Sequence, residues 1–269
     1  MKKVFNEELD RAFRNPRFFI ILVLAMMSFF IGTYRSPVPA FSTSAVLHPV
    51  NRLILNLSYG EFGFLAALLA ALPFADSFLD DFNQGFLRLI IQRTQFRKYL
   101  MAKGLAVGLT GGISLLLTVL IIFLAGLSSP ADWKIMTSTP GGSFYLGEPQ
   151  GPLGSLYTLN PLFYLLYLLV SAFGFGTVYA LMGLAISTFI HNRYVVLAAP
   201  LIFVQVLSFL EQRSLRLTPA LNPLNGLLPF NAALEGNFTA DAQLIQFGVV
   251  LVISVSCFLI LARKSRAAL

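Results

Sequence analysis

Residues 104–127 read GLAVGLTGGISLLLTVLIIFLAGL, without one charged side chain from end to end. A helix needs roughly 20 apolar residues to cross about 30 Å of hydrocarbon, and this stretch is long enough. It lacks the strict alternation of an outer-membrane barrel strand. Five more runs of the same kind occur at 18–34, 62–79, 162–190, 194–210 and 242–262. The sequence therefore predicts a single all-α integral membrane domain over 1–269 with six transmembrane helices. Pro73 and Pro200 fall inside the second and fifth runs and should bend them, because each removes a backbone donor. The fourth run is longer than one straight crossing needs, so it must tilt, kink near Gly174 and Gly176, or project from the membrane.

Composition agrees with this reading. Of the 269 residues, 57% are hydrophobic and 12% charged, with a mean hydropathy of +0.76. A soluble domain carries about 25% charged residues, so a soluble enzyme lacks the polar surface it needs here. A disordered chain is excluded by the same hydrophobicity. The single cysteine, Cys257, lies in the last apolar run, so no intrachain disulfide can form.

The net charge of +7 bears on orientation rather than on nucleic acid, for which no partner role is expected. Lys2, Lys3, Arg11, Arg14, Arg17, Arg88, Arg93, Arg97, Lys98, Lys103, Arg193, Arg263, Lys264 and Arg266 fall in one set of connections. Only Arg35, Arg52, Lys134, Arg213 and Arg216 fall in the other, while acidic residues divide evenly. The positive-inside rule then places both termini in the cytoplasm. The first run is not a cleaved signal peptide, because Glu7, Glu8 and Asp10 make the segment before it too acidic.

Ahead of the first span, residues 1–15 carry Phe5, Leu9, Ala12 and Phe13 on one helical stripe. Glu7–Arg11 and Asp10–Arg14 are acid-before-base pairs at i, i+4, and Pro16 ends the segment. An amphipathic helix follows, lying on the membrane surface or packed on the bundle. On the outer side, 128–160 is a Gly- and Pro-rich loop holding Trp133. The connection 211–241 mixes Leu221, Leu224, Leu227, Leu228 and Phe230 with Pro219, Pro223 and Pro229, which suits short re-entrant or interfacial helices between spans five and six.

Several chemistries have no parts here. There is no G-x-x-x-x-G-K-[ST] phosphate loop, G-x-S-x-G, H-E-x-x-H or C-x-x-C. His48 and His191 lie in connections on opposite sides and cannot share a metal. Asp76 and Glu61 stand at opposite ends of span two rather than at mid-membrane, where proton-coupled transport places its carboxylates. No enzyme activity and no cofactor of its own are expected of this chain.

The most informative cytoplasmic stretch is 80–103, DDFNQGFLRLIIQRTQFRKYLMAK. Phe82, Phe86, Leu89 and Ile90 form an apolar stripe at helical spacing, with Asn83, Gln84, Arg88 and Gln92 on other faces. Asp80 and Asp81 sit where a helix N-terminus favours negative charge. Thr94 can cap a second helix beginning at Gln95 and entering span three. A solvated loop has no need of four large apolar residues in this register, so 80–93 is expected to be a short helix packing on a partner or on the membrane.

Asp81-Phe82-x-x-Gly85-x-x-Arg88, followed by Arg93, Tyr99 and Lys103, resembles the cytoplasmic signature of type-2 permeases of ABC exporters. Gly183-Leu184-Ala185-Ile186-Ser187, with Asn192, Arg193 and Pro200, resembles that family's turn between spans four and five. Thr94-Gln95-Phe96-Arg97 departs from the serine or proline usual before the arginine. The resemblance implies a permease in a bacterial cytoplasmic membrane. It would pair with a second permease subunit, as homodimer or heterodimer, and bind separate ATP-binding cassette subunits that carry the ATP and Mg. Residues 80–93 would be the coupling helix, with Asp81, Phe82, Gly85, Phe86, Arg88, Leu89, Ile90 and Arg93 against the ATPase. Spans two and five would line the path, giving Phe62, Gln205 and Glu211 as its candidate residues. The cargo would be an amphipathic peptide, an antibiotic or a lipid-like molecule. A membrane anchor that recruits a cytosolic protein would use such a helix equally.

Two further features bear on packing. Gly104, Gly108 and Gly112 form a small-residue stripe suited to close helix approach, within the chain or in a dimer. Gln205 is the strongly polar side chain deep in span five; it must bond a neighbouring helix or face a wet path.

Overall fold

The computed structural model describes residues 2–36, 47–87, 95–128, 153–212, 222–228 and 240–267. Among them every regular element is a helix. In chain order these are α1 (Lys2–Phe13), α2 (Arg17–Arg35), α3 (Pro49–Tyr59), α4 (Phe62–Ala71) and α5 (Ser77–Asn83). They are followed by α6 (Phe96–Gly126), α7 (Ser155–Leu159), α8 (Pro161–Ile186), α9 (Arg193–Gln212), a 3₁₀ turn at Pro223–Gly226 and α10 (Ala240–Ala267). Five of them, α2, α6, α8, α9 and α10, are long and apolar enough to cross a membrane; counting the bent pair α3–α4 as one span makes six.

The second run, 62–79, is broken around Pro73 rather than only bent there. α4 has 10 residues, about 15 Å of helix, which is half of the hydrocarbon thickness. Pro73 is one cause, because it has no N–H to give the Leu69 carbonyl one turn back. The Ser114 hydroxyl of α6 donates to that carbonyl instead, at 2.9 Å. The chain passes through turns at 72–76 and re-enters helix at Ser77.

At its other end α4 meets α3 at an 83° bend. Glu61 takes the left-handed conformation there, φ 57°, a strain of about 1 kcal/mol for a residue with a side chain. The Ser28 hydroxyl donates to the Gly60 carbonyl at 2.7 Å, and Arg35 at the end of α2 forms an ion pair with Glu61. α3 itself is an addition to the expected fold, since 35–61 reads as a plain connection. Pro49 occupies its first turn, and His48 Nδ1 accepts from the Val50 N–H at 3.2 Å. Residues 49–57 are buried throughout, Asn51, Arg52 and Asn56 included.

α6 and α8 form the axis of the bundle. A Cβ placed on Gly111 would stand 2.7 Å from the Gly176 carbonyl and 2.9 Å from that of Ala70, so these backbones touch where no side chain fits. Gly108 and Gly112 face Thr177, Leu181 and Phe173 of α8, which makes the glycine stripe an intrachain packing face. α8 runs unbroken through Gly174 and Gly176. Asn160 caps it by accepting from Leu162 N–H at 2.9 Å, and the long apolar run finishes in turns at 187–189. α10 lies at the rim, with Leu244, Ile245, Val252 and Ile260 exposed. It is tied to α8 through Gln243, which accepts from Tyr167 at 2.6 Å and donates to Ser171.

Of the helices expected between spans five and six, the described part is the turn at 222–228. Asn222 Oδ1 accepts from Ser208 of α9 and from Leu224 N–H, both at 3.0 Å, and Leu224 and Leu227 are buried. The remainder of that connection, and the loop with Trp133, lie outside the described residues. Two apolar cores result. The larger fills the middle of the bundle around Leu53, Phe62, Leu69, Leu115 and Phe175. The smaller lies at one end, around Ala12, Phe78, Tyr99, Leu184 and Phe258.

Candidate functional site

That second core marks the end where α1, α5, the start of α6 and the α8–α9 turn meet, here called the basic end. Sequence separates these four segments widely. What draws them together is first apolar: Ala12 is fully buried, with Val4, Phe5 and Leu9 packed on the same cluster, and Phe13 stands edge-on to Phe18 at 5.3 Å. The α1 stripe therefore packs on the bundle.

Above this core sits the first of two charge clusters. Lys103, fully buried on α6, forms an ion pair with the fully buried Asp81 of α5. Its Nζ also lies 3.0 Å from Glu8 Oε2, close enough for an ion pair. The ammonium stands 5.3 Å from the ring centre of Phe74 and 5.5 Å from that of Tyr99. Tyr99 donates to Asp81 Oδ2 at 2.6 Å, and Arg11 donates to Asp81 Oδ1 at 2.9 Å and to Glu8 at 3.2 Å. Arg11 thus pairs with Glu8 and Asp81 rather than with Glu7. Burial on its own pushes the Asp81 carboxyl up. The Lys103 charge and the hydrogen bonds from Lys103, Tyr99 and Arg11 outweigh it, and hold the group below the usual carboxylate range.

The second cluster adjoins the first through the Asp80–Asp81 step. Asp76 is buried at the turn before α5. One guanidinium nitrogen of Arg17 lies 2.8 Å from each of its oxygens, and Arg193 donates to it from the α8–α9 side. Arg193 also reaches the half-buried Asp80 at 3.5 Å, with Arg17 at 4.0 Å. Each cluster holds two carboxylates and two cations and is neutral as a unit. Asn15 adds a neutral tie, donating to the Pro73 carbonyl at 3.3 Å.

These contacts correct the reading of 80–93. α5 begins at Ser77, so Asp80 falls in its first turn and Asp81 just beyond it. Asp81 faces inward to Lys103 and offers nothing to a partner. The helix stops at Asn83, and Gly85 takes the left-handed conformation, φ +72°, with no non-neighbouring atom of the described residues within 4 Å of the point where a Cβ would stand. That dihedral is one a glycine adopts without strain. Because the helix breaks, Phe82 and Phe86 do not share one face: Phe82 is half-buried with its ring 5.5 Å from that of His191, Phe86 is 48% exposed, and Leu87 is the buried residue. Arg88, Leu89, Ile90, Arg93 and Thr94 lie outside the described residues. α6 starts at Phe96 with Gln95 at its cap position.

Of the three expected path residues, Phe62 and Gln205 have described side chains. α4 and α9 pack on each other, but Phe62 is fully buried in the main core. Gln205 is half-buried on α9 and has no hydrogen-bond partner among the described residues. Glu211 lies in the last turn of α9, its side chain outside the described set. A cleft of about 660 Å³ opens beside the first charge cluster, between Glu7, Asp10 and Arg11 of α1, Arg14 just after it, and Phe74 and Asp80 opposite. Among the described residues no group of His, Cys, Asp and Glu is arranged to hold a metal ion.

The charge clusters were open to sequence reading only in part. Tyr99 and Lys103 share a helix face at i, i+4, and a lysine enclosed by Ala102, Gly104 and Ala106 is out of place as a simple interfacial anchor. Comparison of the chain with protein-family models, with curated proteins and with solved structures returned no match.

Proposed function

We propose that this chain is the membrane-spanning subunit of an ABC exporter, moving an amphipathic or lipid-like molecule on energy supplied by separate ATPase subunits. One observation carries the reading. α5 is fixed to four other segments by eight charges, yet the chain turns at an unobstructed αL glycine directly after it and presents Phe86 to the surroundings. A short rigid element joined to an exposed apolar segment suits receiving force from another protein and passing it into a helix bundle. The basic side chains gathered at this end support its placement in the cytoplasm, where an ATPase would bind. The resemblance of 81–103 and 183–200 to type-2 permeases supports the same assignment, and the missing phosphate loop is consistent with an ATPase on a second chain.

The test is purification of the full tagged chain from its native membrane. An ATPase carrying a phosphate-loop motif should copurify and hydrolyse ATP in the complex. Phe86→Asp should release that subunit while the chain still inserts and keeps its melting temperature. Retention of the ATPase and of transport by the Phe86→Asp protein would remove this segment from the interface. Recovery of the chain with a cytosolic protein that hydrolyses no nucleotide would favour the anchor reading.

A further inference from the structure

We infer that the α8–α9 turn is held to α5 by a releasable pin, Arg193, and that Asp76 is built to let it go. The basis is a difference between the two arginines on one carboxylate. Arg17 is 19% exposed and stands 2.8 Å from both Asp76 oxygens. Arg193 is 43% exposed and bonds a single oxygen, Oδ2, with a second contact at 3.5 Å to the half-buried Asp80. If Arg193 leaves, Asp76 keeps a close counter-ion and no buried charge is stranded. If Arg17 leaves, the buried carboxylate depends on the more solvated partner.

In the neighbouring cluster Arg11, 44% exposed, is likewise a solvated second cation on Asp81 and Glu8, but the central cation there is wholly enclosed. Lys103 is fully buried and serves both Asp81 and Glu8. Separating a pair whose two members are both buried is costly; Arg193–Asp76 has one solvated member, and its buried carboxylate keeps Arg17 when Arg193 goes. α5 is therefore fixed to α6 through Lys103–Asp81 and detachable on its α8–α9 side. A displacement of α5 would leave Lys103–Asp81 intact and free the turn at 187–193, which joins the two long helices α8 and α9. The geometry gives the bundle a hinge with a preferred side of opening, independent of what is transported and of which protein drives it.

Hydrogen exchange on the full chain in nanodiscs tests this without a ligand. The amides to follow are those of Ile190 and Val196, which bond the carbonyls of Ile186 and Asn192, and of Tyr194, which bonds the Asn192 side chain. Exposed pairs are screened by salt and buried ones much less. Raising salt from about 20 mM to about 500 mM should speed exchange at 187–196 several-fold in the unaltered protein, with 77–83 unchanged. Arg193→Gln should show the fast exchange at both salt concentrations and fold normally. Arg17→Gln should speed exchange at 77–83 as well. The inference fails if salt leaves 187–196 as protected as before. It fails equally if Arg193→Gln loosens 77–83 as much as Arg17→Gln does.

Discussion

Lys103→Met removes the ammonium from the first charge cluster at little change in side-chain length, so the cavity term is small. Both Lys103 and Asp81 are fully buried and Glu8 nearly so. The substitution leaves two buried carboxylates with one cation, Arg11, which is 44% exposed and correspondingly weakened as a counter-ion. Removing one member of a buried ion pair costs about 3–5 kcal/mol, and Lys103→Met should fall in that range. Asp81→Asn should cost less, because Lys103 keeps Glu8 and the amide oxygen still accepts from Tyr99. The double substitution leaves Glu8 and Arg11 as a balanced pair and should recover about 2 kcal/mol relative to the sum of the singles. Equilibrium unfolding in mixed micelles measures all four proteins.

Acid supplies a second readout of the same charges. Asp81 titrates below its ordinary value when folded, so its contribution is complete above about pH 4, the unfolded carboxylate range. It is lost as pH falls through the lower folded value. The Asp81→Asn protein should lack that part of the acid dependence. A cost below about 1 kcal/mol for Lys103→Met, or strict additivity in the double variant, would show that these groups are not paired in a dry site.

Other expectations follow from single positions. Gly111→Ala drives a methyl into the carbonyls of Gly176 and Ala70 and should destabilise by at least about 1–3 kcal/mol; an unchanged unfolding midpoint would place the α6–α8 crossing elsewhere. Gly85→Ala meets open space and strains only the backbone, so a loss near 1 kcal/mol is expected, read from the melting temperature with the ATPase absent. Gln205→Leu, with no partner among the described residues, should shift the melting temperature by no more than about 2 °C while altering substrate-stimulated ATP hydrolysis; a large drop in melting temperature with unaltered stimulation would make it a tie between helices. In a Cys257→Ala background, a cysteine at Leu159, 74% exposed, should react with an impermeant reagent on intact cells and one at Asn83 should not. The reverse pattern would invert the topology.

Apolar runs mark the five long helices, four of them to within about five residues at each end and α6 with a start eight residues late, because a span needs only its own length of uncharged sequence and no knowledge of its neighbours. The second crossing was harder to read. Its bend at Gly60–Glu61 and its break at Pro73 are stabilised by Ser28, Arg35 and Ser114, all of which come from other helices. α3 is not legible in the sequence because Asn51, Arg52 and Asn56 interrupt its hydropathy, and only tertiary packing shows that they are inside. At the site, residue types were legible and directions were not. Asp81 and Lys103 stand in a recognisable pattern, but whether they face a partner or each other depends on where α5 starts, and that is set by Pro73. The αL turn at Gly85 could have been suspected from the glycine itself, as a helix-ending residue.

The buried helix α3 has a consequence for how the chain is made. Its polar residues deny it the unaided entry into lipid that hydropathy grants α2 or α10. The side chain of Arg52 lies against Gly126, at the far end of α6, and the last turn of α3 presses on Gly32 of α2. One wall of its chamber thus exists when α3 leaves the ribosome, and another has yet to be synthesised. The packing around α3 is therefore complete only once α6 has been made, and a chain truncated before residue 126 is expected to lack the wall that Arg52 lies against, which limited proteolysis of the truncated chain would read.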